Sequence, residues 1–160
     1  SFMGKDLNGA PQIRVARAMH VRDVMTCDVV TVRQGSALPA AAELMVAKKV
    51  SGLPVLDAED RLVGILTSAD FVSAMNLEAG VVSSAVEMLV RKRRVRKGMG
   101  TIVDDIMTRD PITIRADDTL EHAIRRMDKN RIKRLVVTDS LHHVRGIVSR
   151  SDVVKLFAAK

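Results

Sequence analysis

Gly64-Ile-Leu-Thr-Ser-Ala-Asp70 returns later in the chain as Gly146-Ile-Val-Ser-Arg-Ser-Asp152. Each copy ends an apolar segment on a hydroxyl residue and sets a carboxylate three residues further on. An active site is ordinarily built once, so two such stretches in 160 residues point to duplicated architecture. A shift of 82 residues aligns 21–72 with 103–154 without a gap, with 17 identities over the 52 positions. The identities include Met25/Met107, Thr26/Thr108, Met45/Met127, Leu53/Leu135, Asp57/Asp139, Gly64/Gly146 and Asp70/Asp152.

Each repeat reads as β-α-β-β-α. A short strand ("VVTV", "ITI") precedes a helix with apolar residues at Leu38, Ala41, Ala42 and Met45, and at Leu120, Ala123, Ile124 and Met127. That i, i+3, i+4, i+7 spacing makes one apolar helix face. Ser36 is the expected cap of the first helix, with Pro39 in its first turn. Asp118 with Glu121 reads as a capping box for the second. Two more strands follow in each copy ("LPVL" and "LVGIL", "LVVT" and "VRGIV"), separated by the polar turns "DAED" and "DSLHH". A last helix begins near Ser68 and near Ser151. The fold class is α/β (α+β): two tandem β-α-β-β-α repeats expected to pack sheet to sheet, because one unit of this size buries too little surface alone. The expected division is an N-terminal extension 1–20, repeat 1 at 21–77, a basic helical linker 78–102 and repeat 2 at 103–160. Ser1 and Phe2 before Met3 read as a cloning remnant.

Composition narrows the function classes. Net charge is +7, which favours polyanionic partners. There is no Trp, no Tyr and only three Phe, so base-stacking platforms for single-stranded nucleic acid are scarce. The single cysteine, Cys27, forms no internal disulfide, reads as a buried small hydrophobe and suits a cytoplasmic protein. No run has the length of a membrane span and no signal-peptide pattern opens the chain. His20, His122, His142 and His143 lack metal-ligand spacing, "KGMGT" (Lys97 to Thr101) lacks a phosphate-loop pattern, and no catalytic constellation is legible.

The phrases "VRDVMT…VVTV", "VSGLPVLD", "LVGILTSADF" and "VDDIMT…PITI", "IKRLVVTD", "VRGIVSRSDVV" together resemble a tandem pair of CBS domains, a Bateman module, in a stand-alone CBS domain-containing protein. The resemblance covers about 104 of 160 residues. It implies two repeats packed with pseudo-twofold symmetry and clefts between them, adenosine-containing ligands (AMP, ADP, ATP or S-adenosylmethionine), no obligatory cofactor, homodimerisation and a regulatory role without catalysis. The regulated partner is expected to be another protein.

The residues suit that chemistry. A carboxylate accepts hydrogen bonds from both ribose hydroxyls, and Asp70 and Asp152 sit in the first turn of a helix, next to its positive end. Thr67 and Ser149 each add a hydroxyl at a strand end, and the preceding glycine permits close backbone approach. A second reading is equally physical: these four residues are helix caps, which their types favour. The resemblance assigns the base to Val30, Ser51, Gly52 and Leu53 in one copy and to Ile112, Lys133, Arg134 and Leu135 in the other. Val30 and Ile112 also suit core packing. Lys133 and Arg134 stand where the first copy has Ser51 and Gly52, so the second copy is better equipped for phosphate.

Two alternatives stay open at this point. One is nucleic-acid binding through "RKRRVRK" (Arg91 to Lys97), itself also readable as a solvated helix end. The other is a ligand-free oligomerisation scaffold.

Overall fold

The structure is a computed structural model, and it describes residues 11–75 and 101–158. The basic run Arg91–Lys97 and Gly98 and Gly100 lie outside the described residues. The chain divides into two compact units: unit 1 is Ser1–Val29 with Ile112–Lys160, and unit 2 is Val30–Pro111. The opening segment of each repeat, "VRDVMT" or "VDDIMT", therefore belongs to the unit built around the other repeat's strands.

In unit 2, β1 (Val32–Arg33) leads to α2 (Leu38–Lys48), β2 (Gly52–Leu56), β3 (Leu62–Thr67), α3 (Ser68–Ala74) and, after a 3₁₀ turn at Val103–Asp105, β4 (Thr108–Arg109). The sheet order is β1-β2-β3-β4, parallel between β1 and β2 and antiparallel thereafter. Ala41 and Met45 of α2 pack on Leu53, Val55 and Leu66 of the sheet, with Val103 and Met107 closing the core. Burial of each large aliphatic side chain here contributes about 1.5–3 kcal/mol.

Unit 1 repeats the plan. It opens with α1 (Pro11–Ala18) and a 3₁₀ turn at Val21–Asp23, and continues with β5 (Thr113–Ile114), α4 (Leu120–Asn130), β6 (Arg134–Thr138), β7 (Val144–Ser149) and α5 (Arg150–Ala158). Its sheet order is β5-β6-β7. Thr26 and Ile147 exchange backbone hydrogen bonds of 2.8 and 2.9 Å, taking the place that β4 holds in unit 2. Leu120, Ala123 and Met127 of α4 pack on Ile114, Leu135, Val137 and Val148, joined by Val21 and by Ala16 of α1. Arg17 of α1 also reaches Glu121 of α4 at 3.0 Å. Among the described residues no helix is long and apolar enough to cross a membrane.

The helix faces read from sequence hold the buried residues Ala41 and Met45 of α2 and Leu120, Ala123 and Met127 of α4, with Leu38, Ala42 and Ile124 half-buried, but two caps differ. The N-cap of α2 is Ala37, which has no side chain to offer; the Ser36 carbonyl instead accepts from Val103 N–H at 2.9 Å. The N-cap of α4 is Thr119, one residue beyond Asp118, and its hydroxyl accepts from His122 N–H at 3.1 Å. Asp118 turns outward to the Thr119 amide and to His122 Nδ1 at 2.8 Å. Cys27 is exposed rather than buried, because Thr26 is the last residue held by the sheet at that edge.

Candidate functional site

Both units carry the same structure where β3 or β7 passes into its helix. Thr67 keeps extended backbone (φ −123°, ψ 164°) and caps α3. Its hydroxyl accepts from Asp70 N–H at 3.3 Å, while Asp70 Oδ2 accepts from Thr67 N–H at 2.8 Å and from the Thr67 hydroxyl at 3.1 Å. Ser149 and Asp152 repeat this box, with N–H and hydroxyl bonds to Oδ2 of 2.8 and 3.1 Å and an Asp152 N–H to Ser149 Oγ distance of 3.4 Å. The capping reading is thus realised in both copies. It occupies one oxygen of each carboxylate and leaves the other, Oδ1, to be accounted for.

The two Oδ1 atoms differ. Asp70 Oδ1 accepts from Thr108 Oγ1 at 2.9 Å. No matching bond joins Thr26 and Asp152 among the described residues; the charge nearest Asp152 Oδ1 is Lys155 Nζ at 3.8 Å. Asp152 is buried and Asp70 half-buried.

Strand register gathers most of the remaining candidates at these boxes. Gly52 pairs with Thr67, and Arg134 with Ser149. Ser68 N–H donates to the Ser51 carbonyl at 3.0 Å, and Arg150 N–H to the Lys133 carbonyl at 2.9 Å. Leu53 and Leu135 are fully buried in the two cores, so what they present at the box is backbone. Val30 is half-buried against the unit 2 core and Ile112 is exposed. The parallel registers Val32↔Val55 and Thr113↔Val136, extended toward the strand starts, set Val30 beside Leu53 and Ile112 beside Leu135.

Gly64 and Gly146 show what approaches the strand. A Cβ on Gly64 would lie 2.7 Å from Met107 Sδ and 3.0 Å from the Thr108 carbonyl; on Gly146 it would lie 2.7 Å from Met25 Sδ and 2.9 Å from the Thr26 carbonyl. The repeated Asp-x-Met-Thr phrase therefore delivers a methionine and a threonine onto the strand that ends at the box. Thr108, Arg150 and Lys155 stand around these boxes, although neither periodicity nor residue type marked them in the sequence.

A second matched pair anchors the hairpins leading to the boxes. Asp139 Oδ1 accepts from Leu141 and His143 N–H, each at 2.9 Å, and Oδ2 from Arg145 Nε at 3.0 Å. The His143 amide, working against partial burial and helped by the Leu141 amide and Arg145, pulls the Asp139 carboxyl down to about 2. Asp57 is lowered in the same way, chiefly by the Arg61 amide.

The CBS domain family matches this chain twice, over residues 21–77 and 103–159. Homoserine O-acetyltransferase of Methanosphaerula palustris is 35% identical over 136 residues, 85% of this chain and 24% of the relative; the chain thus spans about a quarter of that curated relative's length. The CBS domain pair of protein MJ0100, solved in complex with 5′-methylthioadenosine and S-adenosyl-L-methionine, superposes with a TM-score of 0.69 at 26% identity, covering 88% of this chain and 96% of that one. CBSX2 in complex with AMP gives 0.69 at 30% identity, covering 87% and 96%. Two family matches on the two copies of one β-α-β-β-α unit place the chain in the CBS domain family.

Proposed function

We propose that the chain is a non-catalytic regulatory module that binds an adenosine-containing ligand (AMP, ADP, ATP or S-adenosylmethionine) at its duplicated capping boxes. The observation that carries this reading is the placement of Thr67 and Asp70 beside Gly52, and of Ser149 and Asp152 beside Arg134, on paired strand ends. In each copy a carboxylate is held ready by its own helix, with Oδ1 directed to a further donor. Ribose hydroxyls are such donors, and a charged acceptor makes that pairing stronger than a neutral one. The strand-start residues Ser51, Gly52, Leu53 and Val30, and Lys133, Arg134, Leu135 and Ile112, take the base and the groups beyond the ribose. Similarity to pairs solved with AMP and with S-adenosyl-L-methionine supports the ligand class.

The module works as a cytoplasmic homodimer that acts on another protein segment, with 21–77 and 103–160 as its repeats. Val72 and Met75 of repeat 1 and Val154 and Phe157 of repeat 2 support the dimer, since all four are exposed apolar residues just after the boxes. Thermal shift with AMP, ADP, ATP, S-adenosylmethionine and NADH tests the function. Stabilisation by adenine compounds that persists in high salt is the expected result. No shift with any of them, or binding that ignores base identity and collapses with salt, overturns it.

A further inference from the structure

The two boxes share one backbone plan and differ in charge. At positions matched by the 82-residue shift, Ser51, Gly52, Ser68 and Ser73 of repeat 1 are replaced by Lys133, Arg134, Arg150 and Lys155. Unit 1 brings all four to one place. Arg134 faces Ser149 across the ladder, Arg150 is tied to Lys133 through the backbone at 2.9 Å, and Lys155 approaches Asp152 at 3.8 Å. The only carboxylate in this group is Asp152, buried and already engaged by Ser149, whereas Lys133, Arg150 and Lys155 are exposed. Lys133, Arg150 and Lys155, three exposed cations around one buried anion, leave surplus positive charge beside the atom assigned to the ribose. A chain of phosphates neutralises such a surplus, with bidentate contacts from arginine and point charge from lysine. Unit 2 offers no charge at the matched positions, and its Asp70 is held by a neutral hydroxyl.

We propose that unit 1 takes an adenosine ligand carrying a di- or triphosphate chain, and that unit 2 takes an adenosine ligand without phosphate. This rests on the adenosine-binding reading above. It assigns Arg150 and Lys155, with Lys133 and Arg134, to the phosphates.

The test titrates adenosine, AMP, ADP and ATP into the full chain by calorimetry. Wild type should gain affinity along the series, with at least about tenfold between AMP and ATP at one site. A K133S/R150S/K155S variant, which keeps Arg134, should lose that slope and still bind adenosine, which also reports its fold. An R14S/R22S/K48S control removes the same charge from exposed positions elsewhere and should keep the slope. Ser68→Arg should introduce phosphate preference at the other site. A flat series in wild type, a slope that survives the triple variant, an equal loss in the control, or a Ser68→Arg chain with unchanged preferences overturns this inference while leaving adenosine binding intact. Silence from all four compounds overturns both.

Discussion

Thr108 Oγ1 donates to Asp70 Oδ1 across 2.9 Å, joining the opening segment of repeat 2 to the capping carboxylate of repeat 1. Its sequence twin, Thr26, makes no such bond to Asp152 among the described residues. Thr108→Val should cost about 0.5–1.5 kcal/mol of unfolding free energy, the ordinary net worth of one hydrogen bond. Thr26→Val should cost measurably less. Urea titrations of the two variants compare them directly, and equal losses would show that the bond adds nothing.

Asp152 has two roles that one substitution removes together. Asp152→Ala should weaken the unit 1 ligand by roughly 10- to 150-fold, the loss of one charge-assisted pairing. It should also lower stability by about 0.5–2 kcal/mol, because the capping box with Ser149 goes with it. Calorimetry well below the melting transition separates the effects. Normal affinity alongside reduced stability would reduce Asp152 to a cap.

Gly64→Ala and Gly146→Ala should each destabilise by about 1–3 kcal/mol, the usual penalty for overpacking. The thioethers of Met107 and Met25 can swing aside, but the carbonyls of Thr108 and Thr26 are backbone and cannot. Met107→Ala opens a cavity of its own, so a double-mutant cycle isolates the clash: Gly64→Ala should still lower the denaturant midpoint in a Met107→Ala background, but by less than in wild type. No loss from Gly64→Ala in that background would place the whole clash on the methionine.

Asp139 sets an acid limb. Its carboxyl is held at about 2 in the folded chain against 3.8 ordinarily, so the folded state binds its proton more weakly. The stabilisation is fully present above pH 3.8 and is lost as pH falls from there toward 2. Asp139→Asn should lower the urea midpoint at neutral pH and shrink its further fall across that acid window. A variant whose acid limb matches wild type would remove Asp139 from the linkage.

Most of the repeat was legible because its signals are local: the apolar spacing of Leu120, Ala123 and Met127, the turn residues after Asp57 and Asp139, and the duplication itself. The caps of α2 and α4 were displaced by one residue for different reasons. Asp118 and Thr119 have similar capping aptitude and only backbone dihedrals choose between them. Ala37 takes the place of Ser36 although its side chain caps nothing, beside backbone bonds from Val103 to Ser36 and from Leu38 to Thr101 that no local pattern records. The strand at Thr108–Arg109, the bridge at Thr26 and the exposure of Cys27 were not legible. They depend on segments pairing with strands of the other repeat, and no local pattern records a partner some 40 to 120 residues away.

The division of the chain into Val30–Pro111 and a second unit drawn from both termini has a consequence for biosynthesis. Everything unit 2 needs has emerged once Pro111 clears the ribosome, so it can close while translation continues. Val21, committed to a core with Leu135 and Val148, must wait for the C-terminal strands. A nascent chain stalled just after Pro111 has emerged would hold one finished unit and one unpaired N-terminal segment. Cutting the gene at the repeat boundary would give two polypeptides, neither of which contains a complete core.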